Sequence, residues 1–521
     1  MARVHTVLTW TVYTLLIGLP LLRYANLRSN FFDLGQYINI LNIAAESLQP
    51  AIALSTHAQL VIPVYALFGR MLSNPYGLLA IQSLSCILAY RLFLKSFQED
   101  SLPKWLLFAI FFSSMSIWFT ALNDFHFEHI LFVFYLLFIM LLVVERSGND
   151  IPLIGAAIMV CFVKEIYALS AVMMGVMAFY YGRRRAGLWI IGLSAVYFLL
   201  VTVVLIPAFS GGKGIGALWG AAFGYLGNSP VDMAQTLVAD PKSVLTSDLL
   251  SPRKLVFVVA LMLPFAYVAW LAPVAILPAL PSILVMLLSR NPNHAYLGHH
   301  YTALVTVVMF GGCIISLRFM RDAQRRKRLA LASAGMSFVM LVLFGPAPVS
   351  RLFWSDHAWS FQAQAYLPDA RTRQISALIE QHIPDDRRIA VSVQNSVNHV
   401  RITDRPVVFP FPLGIFEPGR VLTMVAQDVF EPTPGKPNPA EPNASLASRG
   451  LALADYVVID TKRPLSLEDL ACRWSVDVVC DDPEFRGRVE ALVGRLPAEY
   501  DTIAVHDGFA IYRRKSAAQT R

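Results

Sequence analysis

Long apolar stretches recur through the first two thirds of the chain. A helix needs about 20 apolar residues to cross the hydrocarbon core of a bilayer, and somewhat fewer where neighbouring helices bury it. By this criterion the sequence predicts a mainly α-helical, polytopic bundle of about 11 spans at residues 4–22, 76–97, 104–122, 127–144, 150–163, 166–181, 187–207, 254–272, 273–289, 301–318 and 329–347. The regions 150–181 and 254–289 are each also compatible with one long span and a re-entrant piece.

The composition agrees with a membrane protein. Of the 521 residues, 56% are hydrophobic and 15% are charged, and the mean hydropathy is +0.54, whereas soluble domains are about half apolar and about a quarter charged. The net charge is +8, but the basic residues lie in short loops between apolar runs. Because the sequence also lacks zinc-finger spacing, a Walker loop and a dinucleotide fingerprint, nucleic acid is not an expected partner.

The positions of lysine and arginine predict the orientation of the chain. Cytoplasmic loops are enriched in these residues, and here they concentrate in alternate loops, at Arg3, Lys95, Lys104, Arg146, residues 183–185 and residues 318–328. This pattern predicts a multi-pass protein of the cytoplasmic (inner) membrane with its N-terminus inside. The first apolar segment lacks a small-x-small cleavage site and is interpreted as an uncleaved helix. Residues after about 348 are then expected in the periplasm or outside the cell.

The C-terminal region changes character and predicts a second domain. We divide the chain into a transmembrane domain at 1–347 and an extracytoplasmic α/β domain at 348–521. The stretch "DARTRQISALIEQHIP" predicts a helix, and "RIAVSVQ", "ADYVVID" and "GFAIYRR" predict strands. Cys472 and Cys480 could form a disulfide outside the cytoplasm, but two free thiols are an equal alternative. No nucleophile and base stand out in this region, which indicates a structural or acceptor-binding role.

Asp33, in "SNFFDLGQYINI", is a carboxylate among apolar residues directly after the first predicted span. A carboxylate at the outer membrane surface could remove a proton from an acceptor hydroxyl. The alternative is an N-cap, since aspartate is favoured at that position and "DLGQYINILNIAAESL" could begin a helix there. The same loop contains His57.

A second polar group lies in "LNDFHFEHILF", which contains Asp124, His126, Glu128 and His129. Asp124 and Glu128 share one helix face, and His126 and His129 share another. These residue types could bind a divalent metal such as Mg²⁺ or Mn²⁺, with Asp124 and Glu128 as the ligands. They do not all converge on one helical face, so a hydrogen-bonded helix start remains the alternative.

Two further polar groups interrupt apolar sequence. Lys164 and Glu165 are adjacent in "CFVKEIYAL", so they point to different faces and each is expected to have its own partner. Glu165 could line a site, or the two could belong to buried structural ion pairs. In "NPNHAYLGHHYTALV", the side chains of His299, His300 and Tyr301 precede a later span. With basic residues such as Arg253 and Lys254 they would suit an anionic headgroup, although His and Tyr also anchor membrane helices.

The order of these motifs resembles an uncharacterised family of predicted polytopic membrane proteins, the domain-of-unknown-function family numbered two thousand and seventy-nine. The motifs that carry the resemblance are "FFDLGQY", "STHAQLVIPVYALF", "NDFHFEHILF", "VKEIYAL", "GYLGNSP", "APVAILPALPSILVMLL" and "HHYTALV". It extends over most of the chain, including "VSVQNSVNHVRITDRPVVFPFP" and "ADYVVID" in the tail.

That family is similar in architecture to GT-C glycosyltransferases, which take a sugar from a polyprenyl-phosphate carrier at the outer face of the membrane. The similarity implies an essential acid in the first outer loop, and Asp33 occupies that place. This chain has a single acid there instead of a D-x-D motif. Further carboxylates assist in metal-using members, and Asp124 and Glu128 are the candidates here.

The resulting functional prediction is an inverting GT-C-type glycosyltransferase with a polyprenyl-phosphate sugar as donor and a glycan, lipid or protein as acceptor. Asp33 is the predicted base. The other predicted substrate-binding residues are His57, His126, Glu128, Glu165, Arg253, Lys254, His299, His300 and Tyr301. The alternatives are a transporter or flippase of lipid-linked saccharides and a non-catalytic envelope assembly protein.

Overall fold

The computed structural model is mainly helical. It describes residues 2–29, 34–47, 53–54, 57–67, 74–97, 102–144, 149–209, 223–227, 230–244, 251–265, 267–290, 292–295, 297–355, 361–386, 388–394, 396–403, 405, 408–411, 454–463, 491 and 493–515. Three residues with predicted roles lie outside these ranges, namely Asp33, Cys472 and Cys480. Only the backbone of Arg253 is described. The predictions for these four residues stay predictions.

Two compact units make up the chain. The first contains Met1–Gly18, Ala53–Val61 and Ala80–Phe353, and the second contains Leu19–Ile52, Ile62–Leu79 and Trp354–Arg521. The predicted domain division after residue 347 stays a prediction.

The helices follow the apolar pattern of the sequence. The α-helices are Ala2–Ala25, Gln36–Ser47, Val61–Leu67, Pro75–Lys95, Lys104–Phe112, Met115–Leu122, Ile130–Val143, Ile151–Val163, Tyr167–Tyr180, Arg184–Leu199, Ile206–Phe209, Pro230–Ala239, Pro241–Val244, Pro252–Met262, Pro273–Ile276, Leu280–Leu288, Ala303–Arg318, Ala323–Phe344, Ala370–His382 and Val400–Thr403. A π-helical segment occupies Leu200–Leu205. Short 3₁₀ turns occur at Phe127–His129, Leu263–Phe265, Val268–Leu271, Leu277–Ala279, Pro292–Ala295, His300–Thr302, Leu352–Trp354 and Ala363–Tyr366.

Several helices are long and apolar enough to cross a membrane. Five of the described helices meet that criterion, at Arg3–Ala25, Pro75–Lys95, Arg184–Phe209, His300–Arg318 and Ala323–Phe344. A sixth span results if Lys104–Phe112 and Met115–Leu122, which meet at a bend of 59°, cross as one. Shorter apolar helices account for the other predicted spans, at Phe127–Val143, Ile151–Val163, Tyr167–Tyr180, Lys254–Phe265 and Pro273–Leu288. The chain is therefore a membrane protein, and the count of 11 spans stays a prediction.

The core of the first unit is built around the helix Ala303–Arg318, which is almost entirely buried. Its glycines permit close packing, since a Cβ on Gly311 would lie 2.7 Å from Cε1 of Tyr135. The helices Tyr167–Tyr180 and Arg184–Leu199 also pack through glycines, and a Cβ on Gly187 would lie 2.6 Å from the carbonyl oxygen of Gly175. Small residues at such contacts are typical of helix packing in membranes.

Other helices expose apolar faces instead. The span Arg184–Phe209 has only 22% of its most apolar window buried. Its large side chains Val196, Leu199 and Val203 are all exposed. Such faces are favourable only against an apolar solvent, which is what lipid tails provide.

The second unit contains a five-stranded sheet. The strands are β1 (Val391–Gln394), β2 (Val408–Phe411), β3 (Tyr456–Asp460), β4 (Tyr500–His506) and β5 (Phe509–Arg514), in the order β2-β1-β3-β5-β4. β1 pairs in parallel with β2 and β3, whereas β5 pairs antiparallel with β3 and β4. The small sheet and the three strands predicted from the sequence are confirmed, and β2 and β4 are additional.

The helix Ala370–His382 covers this sheet and is also confirmed. Asp369 caps it, because its carboxylate accepts a hydrogen bond from the backbone N–H of Thr372 at 2.5 Å. Ile375 and Ile379 pack with Val391, Val458 and other strand residues in one apolar core.

Candidate functional site

The polar groups of the first unit lie where its apolar helices begin or break. Glu128 is in the 3₁₀ turn Phe127–His129, which leads into the helix Ile130–Val143. His300 begins the turn that leads into the buried helix Ala303–Arg318. Lys164 ends the helix Ile151–Val163 because its backbone is extended, with φ −166° and ψ 144°. Backbone groups left unpaired at such ends make these positions suited to polar side chains.

These three residues form the centre of the site, which we call the Glu128 cluster and define as Glu128, Lys164, His300, His126 and Tyr301. Oε1 of Glu128 lies 3.9 Å from Nζ of Lys164 and 4.0 Å from Nε2 of His300. The side chain of Glu128 is only 1% exposed. Neither of its carboxylate oxygens has a hydrogen-bond partner among the described residues. Because buried carboxylates are costly without hydrogen bonds, this arrangement indicates a place for a water molecule or a ligand group.

Three members of the cluster are rings that pack against one another. The rings of His126 and His300 stack with a centroid distance of 3.6 Å and an interplanar angle of 18°. The ring of Tyr301 lies 4.1 Å from that of His300, and Nζ of Lys164 lies 5.6 Å from the centroid of Tyr301. The position of the ammonium over a ring face adds a cation–π contact to its ion pair.

His294 adjoins the cluster through Tyr301, with ring centroids 4.4 Å apart. Its Nδ1 is buried and has no hydrogen-bond partner among the described residues. Burial, together with the nearby charges of Lys164, His299 and His57, lowers the pKa of His294 to about 3. His294 is therefore a neutral imidazole at physiological pH.

A small polar pocket opens beside Glu128. It is lined by Gln82, Ser116, Phe119, Thr120, Asn123, Asp124, His126, Glu128, His129, His299, His300, Thr302 and Ala303, and its cavity volume is about 10 Å³. That is close to the room that one water molecule needs. Nε2 of Gln82 donates to the carbonyl of Asn123 at 2.9 Å, and its Oε1 accepts from the backbone N–H of His126 at 3.1 Å. Gln82 thus holds the chain segment that carries the histidine.

His57 and Glu165 form a second polar pair. Nδ1 of His57 lies 2.8 Å from Oε1 of Glu165, and the backbone N–H of Ala58 donates to Oε2 at 2.9 Å. Glu165 is 3% exposed, whereas His57 is 26% exposed. Adjacent residues were expected to find separate partners, and Lys164 and Glu165 do so.

Most of the predicted site residues come together. Asp124, His126, Glu128, His299 and His300 line one pocket, and Tyr301 adjoins it. His57 and Glu165 pair with each other. Lys254 instead donates from Nζ to the carbonyl of Leu287.

Two residues of the site have roles that the sequence did not predict. The sequence predicted an ion pair for Lys164 and no role for Gln82. A signal for Gln82 exists, since it is an amide inside an apolar span.

The metal site predicted at Asp124 and Glu128 stays a prediction. Across that part of the chain, no group of three His, Cys, Asp or Glu side chains is arranged to hold a metal ion. Asp124 and Glu128 line the same pocket, but the ammonium of Lys164 already faces the Glu128 carboxylate. A cationic neighbour opposes the binding of a second cation to Glu128.

A family model described as predicted membrane protein (DUF2079) matches residues 23–412. A search of curated proteins finds no match.

Proposed function

We propose that this chain, which belongs to the DUF2079 family of predicted membrane proteins, is an integral-membrane glycosyltransferase that moves a sugar from a polyprenyl-phosphate carrier to an acceptor hydroxyl. The observation that carries the proposal is the Glu128 cluster. There, a buried carboxylate whose oxygens accept no hydrogen bond from the described residues lies 3.9 Å from a lysine ammonium.

The cluster matches the chemistry of a sugar phosphate. Sugar hydroxyls donate hydrogen bonds, and the oxygens of Glu128 can accept them. The phosphate is an anion, and Lys164 supplies a cation. The ammonium lies 3.9 Å from the carboxylate of Glu128, which is too far for a hydrogen bond, so it can still donate one to a phosphate oxygen. Burying charged side chains among apolar helices costs free energy, and such residues in membrane proteins are typically functional.

The reaction would rely on positioning and on charge stabilisation. The donor is a phosphodiester with one negative charge, and the leaving polyprenyl phosphate develops a second as the bond to the sugar breaks. Lys164 would stabilise that charge in a site from which water is largely excluded. Asp33 keeps the predicted role of base toward the acceptor. Because the pocket has room for about one water molecule, its lining must move to admit a sugar.

The test is transfer of a labelled sugar from a polyprenyl-phosphate donor by the purified protein in nanodiscs. We expect Lys164→Gln to lower the rate about 10²–10³-fold, the range for loss of one donor to a developing charge. Lys164→Arg should retain more activity because it keeps the positive charge. Lys104→Gln, at an exposed helix start, is the matched control. If Lys164→Gln transfers as fast as the wild type, the cluster is not the phosphate site.

Asp33→Asn tests the base separately. We expect a loss of about 10²–10⁴-fold in the rate, the range for a positioned acid or base. An unchanged rate would refute the base assignment without refuting transfer.

A transporter or flippase of lipid-linked saccharides is the second candidate. It is favoured by the burial of Glu128 and Lys164, since buried ionisable groups also mark transport pathways. Movement of a labelled lipid-linked sugar across liposomes without covalent transfer would favour it over the enzyme.

The proposed setting is the cytoplasmic membrane, with the N-terminus inside and the C-terminal α/β domain outside the cytoplasm. Reporter fusions at Arg3 and after residue 515 should give opposite sidedness. A third possibility, an envelope assembly protein, predicts that deletion of the C-terminal domain abolishes function while Asp33→Asn has no effect.

A further inference from the structure

The His57–Glu165 pair has the geometry of an oriented imidazole. A carboxylate only accepts hydrogen bonds, so at the 2.8 Å separation Nδ1 of His57 must carry the hydrogen. The other oxygen of Glu165 is fixed by the backbone N–H of Ala58 at 2.9 Å. Both oxygens of the carboxylate are therefore engaged, and the imidazole ring is held in one orientation.

This orientation leaves Nε2 of His57 available. Within the described part of the chain, Nε2 has no hydrogen-bond partner, and the ring is 26% exposed. Glu165 is 3% exposed and stabilises a positive charge on the imidazole when Nε2 is also protonated. A buried carboxylate, an oriented imidazole and an accessible second nitrogen are the parts of a proton-transfer group.

The pair lies close to the cation that we assign to the phosphate. Glu165 follows Lys164 directly in the break between the helices Ile151–Val163 and Tyr167–Tyr180. Charges on His57 and Lys164 both act on His294, which contacts Tyr301 of the Glu128 cluster. His57 is therefore held by the residue that follows the lysine to which we assign the leaving phosphate.

We infer that His57 is the proton donor to the leaving phosphate and that Glu165 is its positioning residue. This assignment rests on the proposed glycosyl transfer and adds a catalytic group to it. It differs from the role predicted for His57 from the sequence, which was to bind substrate.

In the proposed transfer, the acceptor hydroxyl loses its proton to a general base, and its oxygen forms a bond to the anomeric carbon. The bond from that carbon to the phosphate oxygen breaks, and both electrons stay with the oxygen. Nε2 of His57 gives its proton to the phosphate, which leaves as a singly charged monoester. His57 then remains as the Nδ1–H tautomer on Glu165, and solvent exchanges one proton with each group.

The test compares two donors in the purified full-length protein in nanodiscs. One is a tritiated polyprenyl-phosphate sugar, from a panel of hexoses and pentoses. The other carries the same sugar and a difluoromethylene group beside the phosphate, which makes the phosphate a weaker base. The variants are His57→Gln, Glu165→Gln and Glu165→Asp. His382→Gln is the control, because it makes the same substitution in the helix Ala370–His382, which contributes no residue to the proposed site.

We expect His57→Gln to lower kcat for the ordinary donor about 10²–10⁴-fold, with KM changed less than about threefold. The loss should shrink to less than about tenfold with the fluorinated donor, because that leaving group needs the proton less. Glu165→Gln should lower kcat with the same dependence on the donor, because it leaves the imidazole of His57 without its positioning carboxylate. Glu165→Asp should partly restore kcat, because it keeps the carboxylate.

Each outcome decides the assignment. If His57→Gln keeps wild-type kcat, or loses the same factor with both donors, His57 is not the proton donor even though transfer occurs. If His57→Gln fails only through KM, the residue binds substrate without donating a proton, and the assignment falls. If the wild type transfers sugar from no member of the panel, the proposed function itself fails and the assignment fails with it.

Discussion

Replacing Lys164 with methionine removes the cation nearest to the buried Glu128 carboxylate and keeps most of the side-chain volume. The two charges are 3.9 Å apart, and at an effective dielectric constant of about 20 their attraction is about 4 kcal/mol. Nε2 of His300 lies 4.0 Å from the same oxygen, and His300 balances the charge of Glu128 only when its imidazole is protonated. We therefore expect Lys164→Met to destabilise the protein by about 3–5 kcal/mol, the cost of leaving a buried charge unpaired.

The double variant Lys164→Met/Glu128→Gln isolates the pair. Because it removes both charges, it should recover most of the stability lost by the lysine substitution alone. The coupling energy from the four proteins should be about 2–4 kcal/mol. Reversible unfolding in mixed micelles, followed by tryptophan fluorescence, measures it. A coupling energy below about 0.5 kcal/mol would refute the reasoning, since it would show that Glu128 does not carry a charge balanced by Lys164.

Three other predictions concern packing, the soluble domain and pH. Gly187→Ala places a methyl group 2.6 Å from a carbonyl of the facing helix and should cost about 1–3 kcal/mol, whereas Gly192→Ala has nothing within 4 Å and should be neutral or stabilising by thermal unfolding. Arg371→Leu removes a two-point contact, at 2.7 and 3.0 Å, to the fully buried Asp460, which keeps Arg463 as a partner at 3.1 Å. The substitution should therefore cost about 1–3 kcal/mol in urea unfolding. Arg388→Leu, at a 90% exposed position, should leave urea unfolding unchanged. Burial, and then the charge of Arg401, lowers the pKa of His399 from 6.5 to about 4. Because the unfolded chain then takes up a proton at higher pH than the folded one, the hydrogen-exchange protection of the sheet should fall by up to about 3 kcal/mol as the pH drops from 6.5 to 4. His399→Gln should remove that fall.

Local patterns predicted the elements of the fold well. The apolar runs recur as helices, because the hydrocarbon core offers no water to the backbone and a helix satisfies its hydrogen bonds within one segment. The helix Ala370–His382 and the strands β1, β3 and β5 follow from periodicity and flanking turns. β2 contains Pro410, a residue that disfavours strands, and this explains why its sequence gave a weaker signal.

The site was predicted in its residue types but not in its geometry. His126, Glu128 and His300 were identified as polar residues at helix ends, and their convergence was not, because the approach of segments distant in the chain depends on tertiary packing. The separate partners of Lys164 and Glu165 agree with the expectation from their adjacency, although both residues lie in a break between helices and not inside one. The roles of Asp33 and Arg253 stay predictions, because the side chains lie outside the described residues.

The exposed apolar side chains of the span Arg184–Phe209 have a consequence for how any reaction of this protein must be quantified. A protein that shares its solvent with a polyprenyl substrate meets that substrate by diffusion within a plane. The concentration that sets the rate is then the mole fraction of substrate among the lipids, and diluting the suspension with buffer leaves it unchanged. An apparent KM in micromolar units would change with the amount of lipid added, whereas one expressed as a surface mole fraction would stay constant.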